Sequence, residues 1–188
     1  VIYDQNGFFA SARAWWMFRA MGNRDVWVLD GGFSAWQAAG GESDDMPPIA
    51  VERHYTARKR ADLVRDQHQM REIVADAAHH ILDARAPGRF SGSEPEPRAE
   101  LPSGHMPGSV CVPASSLINE DGTMKSKAEL TDILGDYGKK PVVATCGSGV
   151  SAAVIALALA RIGNWDAAVY DGSWSEWAAD TDNPVATL

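Results

Sequence analysis

The sequence predicts a parallel α/β fold, a sheet of parallel strands with helices on both faces, and three observations carry that prediction. The first is an internal repeat. Leu29-Asp30-Gly31-Gly32-Phe33-Ser34-Ala35-Trp36 recurs as Tyr170-Asp171-Gly172-Ser173-Trp174-Ser175-Glu176-Trp177, and at the same spacing Gly22-Asn23, Asp25 and Val1 match Gly163-Asn164, Asp166 and Val142. The second is the content of each copy: strand, loop, helix, short strand, Asp-Gly turn, helix. Strands that alternate with helices at this spacing form parallel sheets rather than hairpins. The third is that Val1-Ile2-Tyr3 and Val142-Val143-Ala144 are short apolar runs of the kind found in buried strands.

The elements then follow in order. Residues 1–45 supply the second half of one domain, beginning directly on the strand Val1-Ile2-Tyr3. Gly40 to Pro48, with Gly40-Gly41, Asp44-Asp45 and Pro47-Pro48, has linker composition, and the whole of 46–70 is expected to connect two domains. Within it and just beyond, Arg53 to Arg71 is rich in arginine and is expected to be a solvated helix face or interdomain packing, with a contribution to anion steering as the alternative. Residues 71–188 form a complete second domain. Its strands include His80-Ile81-Leu82-Asp83 and Val110-Cys111-Val112, the latter ended by Pro113. Pro95 to Pro102 is irregular and Glu120 to Gly122 is a turn. About 60 residues precede Val142 inside the second copy, whereas nothing precedes Val1. The expectation is therefore a truncated first domain, whose missing half is supplied by another chain segment.

Composition narrows the partners. The 188 residues are 45% hydrophobic, carry a formal net charge of -8 and have a pI near 5.0. An acidic chain without long basic blocks is a poor partner for nucleic acid or for an anionic membrane surface. Its longest apolar run, Val150 to Ile162, is broken by Arg161 and falls short of the roughly 20 residues of a membrane span. No signal peptide is visible, and the chain starts on Val1 rather than Met. Two cysteines, Cys111 and Cys146, suit a reducing compartment such as the cytoplasm and at least one free thiol.

The chemistry concentrates in Val142-Val143-Ala144-Thr145-Cys146-Gly147-Ser148-Gly149-Val150-Ser151-Ala152-Ala153. A buried strand runs into a small-residue loop and then into an apolar helix. Ligands gather at the carboxyl ends of parallel strands, where this loop sits. Gly147 and Gly149 permit a tight loop with inward amides, and the following helix adds the positive end of its dipole. Cys146 at the start of such a loop should rest substantially as thiolate. Cys111, between Val110 and Val112, has no such setting and is expected in the core.

On these residues the chain resembles the two-domain rhodanese-type sulfurtransferases, and among them the 3-mercaptopyruvate sulfurtransferases. The resemblance is carried by Cys146-Gly147-Ser148-Gly149-Val150-Ser151, by Gly88-Arg89-Phe90 with Glu94-Pro95-Glu96-Pro97-Arg98, by Gly104-His105-Met106-Pro107-Gly108, and by Tyr170 to Trp177. It implies that Cys146 attacks the sulfur of a small-molecule donor and becomes a persulfide. The sulfur then passes to a thiol acceptor such as thioredoxin or a low-molecular-weight thiol, or to cyanide. Gly147, Ser148, Gly149, Val150 and Ser151 would bind the substrate and the sulfur anion through their amides. Arg89 and Arg98 match the family's substrate-binding arginines, whose guanidinium groups suit a carboxylate and a ketone oxygen. Ser148 matches a serine proposed to relay protons with a His and an Asp of the first domain, in the stretch that is missing here. None of His54, His68, His79, His80 and His105 takes that role; His105 is expected to orient a turn. Trp174 and Trp177 are expected at a helix start and in the core, with Trp174 a candidate pocket wall. In the first copy Asp4 and Gln5 stand where the cysteine would be, so that copy has no nucleophile. No cofactor and no metal is expected.

Alternatives remain within and outside this chemistry. Relatives that prefer thiosulfate carry cations after the cysteine, where this chain has Gly147 and Ser148. That favours 3-mercaptopyruvate, with thiosulfate sulfurtransfer as the competing or side activity. A cysteine phosphatase would need an arginine six residues after Cys146, where Ala152 stands. A non-catalytic rhodanese-like binding module remains as the reading from another class.

Overall fold

Helix α6 (Ala152–Arg161, AAVIALALAR) explains why the second unit assembles as it does. It is built from good helix formers and has an apolar circumference, so it must be covered nearly all round. Val154, Ile155, Ala158 and Leu159 are fully enclosed. The computed structural model describes residues 1–5, 8–46, 49 and 51–188; Pro47 and Pro48 of the expected linker lie outside them.

Five strands form one sheet in the order β1-β5-β4-β2-β3, where β1 is Val64–Arg65, β2 His80–Asp83, β3 Ser109–Cys111, β4 Val142–Thr145 and β5 Ala168–Tyr170. Every pairing is parallel. The central strand β4 pairs Val143 with Ile81 on one side and with Ala168 on the other. Side chains alternate across such a sheet, so neighbouring residues serve opposite faces. Leu82, Val142, Ala144 and Val169 join the cluster beneath α6 and α5 (Lys127–Leu134). Ile81, Val143, Ala168 and Tyr170 join the opposite one, with Met70 and Ile73 of α3 (Gln67–Asp76) and Trp174 and Trp177 of α7 (Ser173–Trp177). Helices thus cover both faces, as expected.

Helix starts follow local chemistry. Asp66 accepts from the Gln69 N–H while the Gln69 side chain accepts from the Asp66 N–H, closing a capping box at α3. Ser126 and Glu129 close another at α5. The short α4 (Pro87–Ser91) begins with proline, whose fixed φ suits the first turn, and ends at Gly92 with φ +88°.

Two expectations change. Part of the 46–70 segment belongs to the second unit: Leu63 and Met70 are buried, β1 forms the sheet edge and α3 opens at Gln67. Residues 51–60 carry no helix; they strap the end of α1 (Ser11–Ala20) through Arg58 N–H to Met21 O and Arg60 N–H to Ala20 O. The segment's role is packing between units. Cys111 is only half-buried, because β3 is the sheet's outer strand.

The first unit is not a separate body. Its α1 lies on α6, and Ala12, Trp15, Trp16 and Ala20 share one apolar cluster with Ile155 and Leu159. Ile2 pairs in parallel with Val28, the counterpart of Ala144 with Val169. The strands therefore correspond one residue away from the Val1–Val142 match, since the loop of the first copy is longer by one residue before its helix.

Replacing Ile155 by Ala at the centre of this shared cluster should lower the unfolding free energy by about 2–5 kcal/mol. Urea titration followed by tryptophan fluorescence measures the loss.

Candidate active site

Cys146 follows β4 directly, at the carboxyl edge of the sheet, and only 2% of it meets solvent. The strand ends because the loop turns back under α7. The Cys146 and Gly147 carbonyls accept from the N–H groups of Trp174 and Ser175. Ser173, held at φ +52°, aims its hydroxyl at the same place: it accepts from the Cys146 N–H at 3.2 Å and lies 4.0 Å from Sγ.

A cavity of about 290 Å³ opens over the thiol. Cys146, Gly147, Ser148, Val150 and Ser151 line it together with Arg89 and Arg98, so the residues expected at the site are gathered in one place. Gly149 is the exception. It is absent from the lining because φ of +78° turns it against Asp171, whose carbonyl oxygen would stand 2.4 Å from any Cβ placed there. Its φ shapes the loop, and its N–H stays in the same run of loop amides as its neighbours. Among the described residues, the N–H groups of Gly147 to Ser151 find no protein acceptor and the Ser148 hydroxyl has no partner. Backbone N–H groups without a protein acceptor at the mouth of a cavity are donors suited to an anion.

The first copy shows that anion in place. The Asp4 carboxylate accepts from the N–H groups of Ala10 and Ser11 at 3.2 and 3.0 Å, at the start of α1. Their counterparts at the start of α6 are Ser151 and Ala152. Asp4 thus fills its own cradle, whereas Cys146 leaves its cradle open.

Arg89 is aimed by charge. Its guanidinium donates to Glu96 through Nε at 3.1 Å and Nη2 at 2.5 Å. Glu96 is buried and also pairs with Arg85 at 2.9 Å, and Arg85 is held by Asp83 at 2.7 Å. The Glu96 carboxylate holds the Arg89 charge more firmly than usual, with a smaller contribution from the Cys146 sulfur. Nη2 of Arg89 would stand 2.8 Å from a Cβ on residue 147, so glycine there is a condition for Arg89's approach. Arg98 reaches the loop differently: it donates to the Ser175 hydroxyl, which donates to the Gly147 carbonyl at 2.5 Å.

Several site residues escaped the sequence reading. Phe9 of the first unit, 67% exposed, forms part of the cavity wall, and Pro97, Leu101 and Ser175 complete it. Glu96 and Ser175 were inside quoted motifs but carried no signal of their own. Trp174 is not a wall; it is enclosed, with the Arg85 guanidinium over its ring at 4.4 Å and its Nε1 donating to Pro102 O. His105 orients a turn as expected, its Nδ1 donating to Phe90 O at 2.8 Å and its ring stacked on Phe90. Burial and, after it, the nearby Asp83 carboxylate push the Cys111 thiol up, the direction that disfavours a thiolate there.

Known proteins resemble both fold and site. The rhodanese-like domain matches residues 1–39 and 66–180. Thiosulfate/3-mercaptopyruvate sulfurtransferase 1, mitochondrial, of Arabidopsis thaliana is 35% identical over 215 residues, covering 100% of this chain and 56% of that protein. Thiosulfate sulfurtransferase of Rattus norvegicus is 42% identical over 183 residues, covering 94% of this chain and 62% of its own length. This chain therefore spans under two thirds of the curated relatives it matches. The crystal structure of SseA from Escherichia coli, described with the 3-mercaptopyruvate sulfotransferases, superposes with a TM-score of 0.78 at 34% identity over 93% of this chain and 66% of that one.

Because Glu96 lies between two guanidinium groups, Glu96→Gln should destabilise the fold by about 3–5 kcal/mol, the cost of leaving buried charges short of a partner. Thermal unfolding of the purified variant reads this directly.

Proposed function

This chain belongs to the rhodanese-like domain family, and from that premise we propose that it transfers sulfur from 3-mercaptopyruvate through a persulfide on Cys146, releasing pyruvate. The observation that carries the proposal is a single cavity lined by Cys146, by Arg89 and Arg98, and by loop residues whose N–H groups have no protein acceptor among the described residues. A 2-oxo acid carries its carboxylate and ketone oxygens side by side, and two guanidinium groups on one wall suit that pair.

The steps follow from the chemistry. The donor's carboxylate and ketone oxygens bind Arg89 and Arg98, which places its sulfur over Sγ. The Cys146 thiolate attacks that sulfur, an S–S bond forms, and the donor's C–S bond breaks. The electron pair of that bond passes into the enolate of pyruvate. The enolate carbon takes up the proton that the donor thiol releases, and the product leaves as pyruvate. The Ser148 hydroxyl, unpartnered on the cavity wall, is placed to hold that proton in transit. The terminal sulfur, now anionic, sits among the loop amides until an acceptor thiol or cyanide attacks it. A low-molecular-weight thiol or a thioredoxin-like protein in a reducing compartment is the acceptor class that suits an open cavity.

Thiosulfate is the second reading, because two arginines also suit a dianion; the neutral Gly147 and Ser148 favour the 2-oxo acid. A further part of the proposal concerns the first unit. Val1, Tyr3 and Trp36 are exposed around a hollow of about 530 Å³. By analogy with β2 beside β4, we propose that a further strand and helix, of this chain or another, closes it.

Steady-state assays on both donors, with intact mass before and after donor treatment, test the function. The parent should gain the mass of one sulfur, Cys146→Ser should gain none and lose turnover, and Cys111→Ser should behave as the parent. Arg98→Ala should raise KM for 3-mercaptopyruvate by roughly 10- to 100-fold, as for loss of a hydrogen bond to a charge, and affect thiosulfate less. Equal losses on both donors would remove the carboxylate role.

A further inference from the structure

The unit without a nucleophile reaches into the site of the other. Arg13, in the first turn of α1, donates through Nη1 to the Gly149 carbonyl at 3.1 Å and to the Asp171 carboxylate at 2.5 Å. Its guanidinium also lies over the Trp16 ring at 4.6 Å, and Trp16 is pinned by its Nε1 to Leu63 O. Gly149 is the point where the loop turns with positive φ, and both Asp171 and Arg13 press on it. The arm that carries Arg13 is itself fixed, because the Asp4 carboxylate caps the start of α1 and the far side of α1 packs on α6.

We propose that Arg13 is a positioning residue for the sulfur-carrying loop: it holds the Gly149 peptide so that the amides on either side of it stay turned toward Cys146. This deepens the reading of Cys146 as the sulfur carrier and rests on it. Arg13 does not line the cavity and touches no donor. Its effect must therefore fall on the stabilisation of the sulfur anion and not on capture of the carboxylate. A loop of glycines and serines has no side-chain packing to keep its carbonyls turned outward. A fixed guanidinium beneath one of those carbonyls supplies that constraint.

The test uses the full chain with Arg13→Met, which keeps contact with Trp16 and removes both donations, and with Asp171→Asn, which weakens the same clamp from the other side. Two readings are taken. The first is amide exchange at Ala153 and Val154, whose N–H groups donate to Val150 O and Ser151 O of the loop. The second is the split between kcat and KM for 3-mercaptopyruvate. The proposal expects exchange at those amides to quicken roughly tenfold with the β2 amides unchanged. It also expects kcat to fall roughly tenfold with KM unchanged, the scale of a small displacement of catalytic groups. Parental exchange in both variants overturns it, and so does quickened exchange with parental kcat. If the parent itself takes up no sulfur, the reading of Cys146 falls, while the exchange measurement still decides whether Arg13 holds the loop.

Discussion

Arg85 places a guanidinium where only 1% of its side chain meets solvent, and the site is arranged around the need to satisfy it. A buried charge is tolerated only with partners on nearly every donor. Asp83, the last residue of β2, takes Nε and Nη2; Glu96 takes Nη1; the Gly104 carbonyl takes Nη2 again; and the Trp174 ring covers one face. Those partners come from β2, the 94–98 loop, the turn before β3 and α7. One side chain therefore fixes four pieces of backbone relative to one another. The spare oxygen of Glu96 is then left pointing at Arg89, and Arg89 at Gly147. Arg89 is aimed by a demand that originates two side chains deeper in the protein.

The duplicated unit supplies an internal control for the other end of the site. In Asp4 the charged oxygen is separated from Cα by the same number of bonds as the terminal sulfur of a cysteine persulfide. The carboxylate is met by the first two amides of a helix. At the equivalent place in the second copy, with cysteine in place of aspartate, Ser151 borders the cavity. The two copies differ in whether the anion is built in or brought in. That difference separates a filled cradle from an open one on a shared scaffold.

Much of this was legible in the sequence, for identifiable reasons. The parallel sheet followed from the repeat and from strands bounded by helices. Cys146, Gly147, Ser148, Val150, Ser151, Arg89 and Arg98 followed from small residues after a buried strand and from motif resemblance. What escaped was whatever depends on pairing across long separations. Nothing near Arg13 points to a partner 136 residues away. Glu96 reads as one acidic residue among several until two arginines are found on it. Cys111 lies between valines and looks like core, but β3 is the outer strand, and strand order is not a local property. Gly149 was legible as a loop glycine but its close approach to Asp171 was not, because glycine signals permission for a turn without saying which way the turn faces.

The helix pair α1 and α6 ties the two copies through one continuous apolar cluster. Once duplicated units share a core, neither can be traded for the same unit of a related protein without importing mismatched shapes at Trp15, Trp16, Ile155 and Leu159 together. The nucleophile-free copy is consequently held in place by its packing, independently of any chemistry of its own. Residues drifting on one copy are screened by their fit to the other. Such a lineage should exchange whole pairs of units by recombination far more readily than single ones.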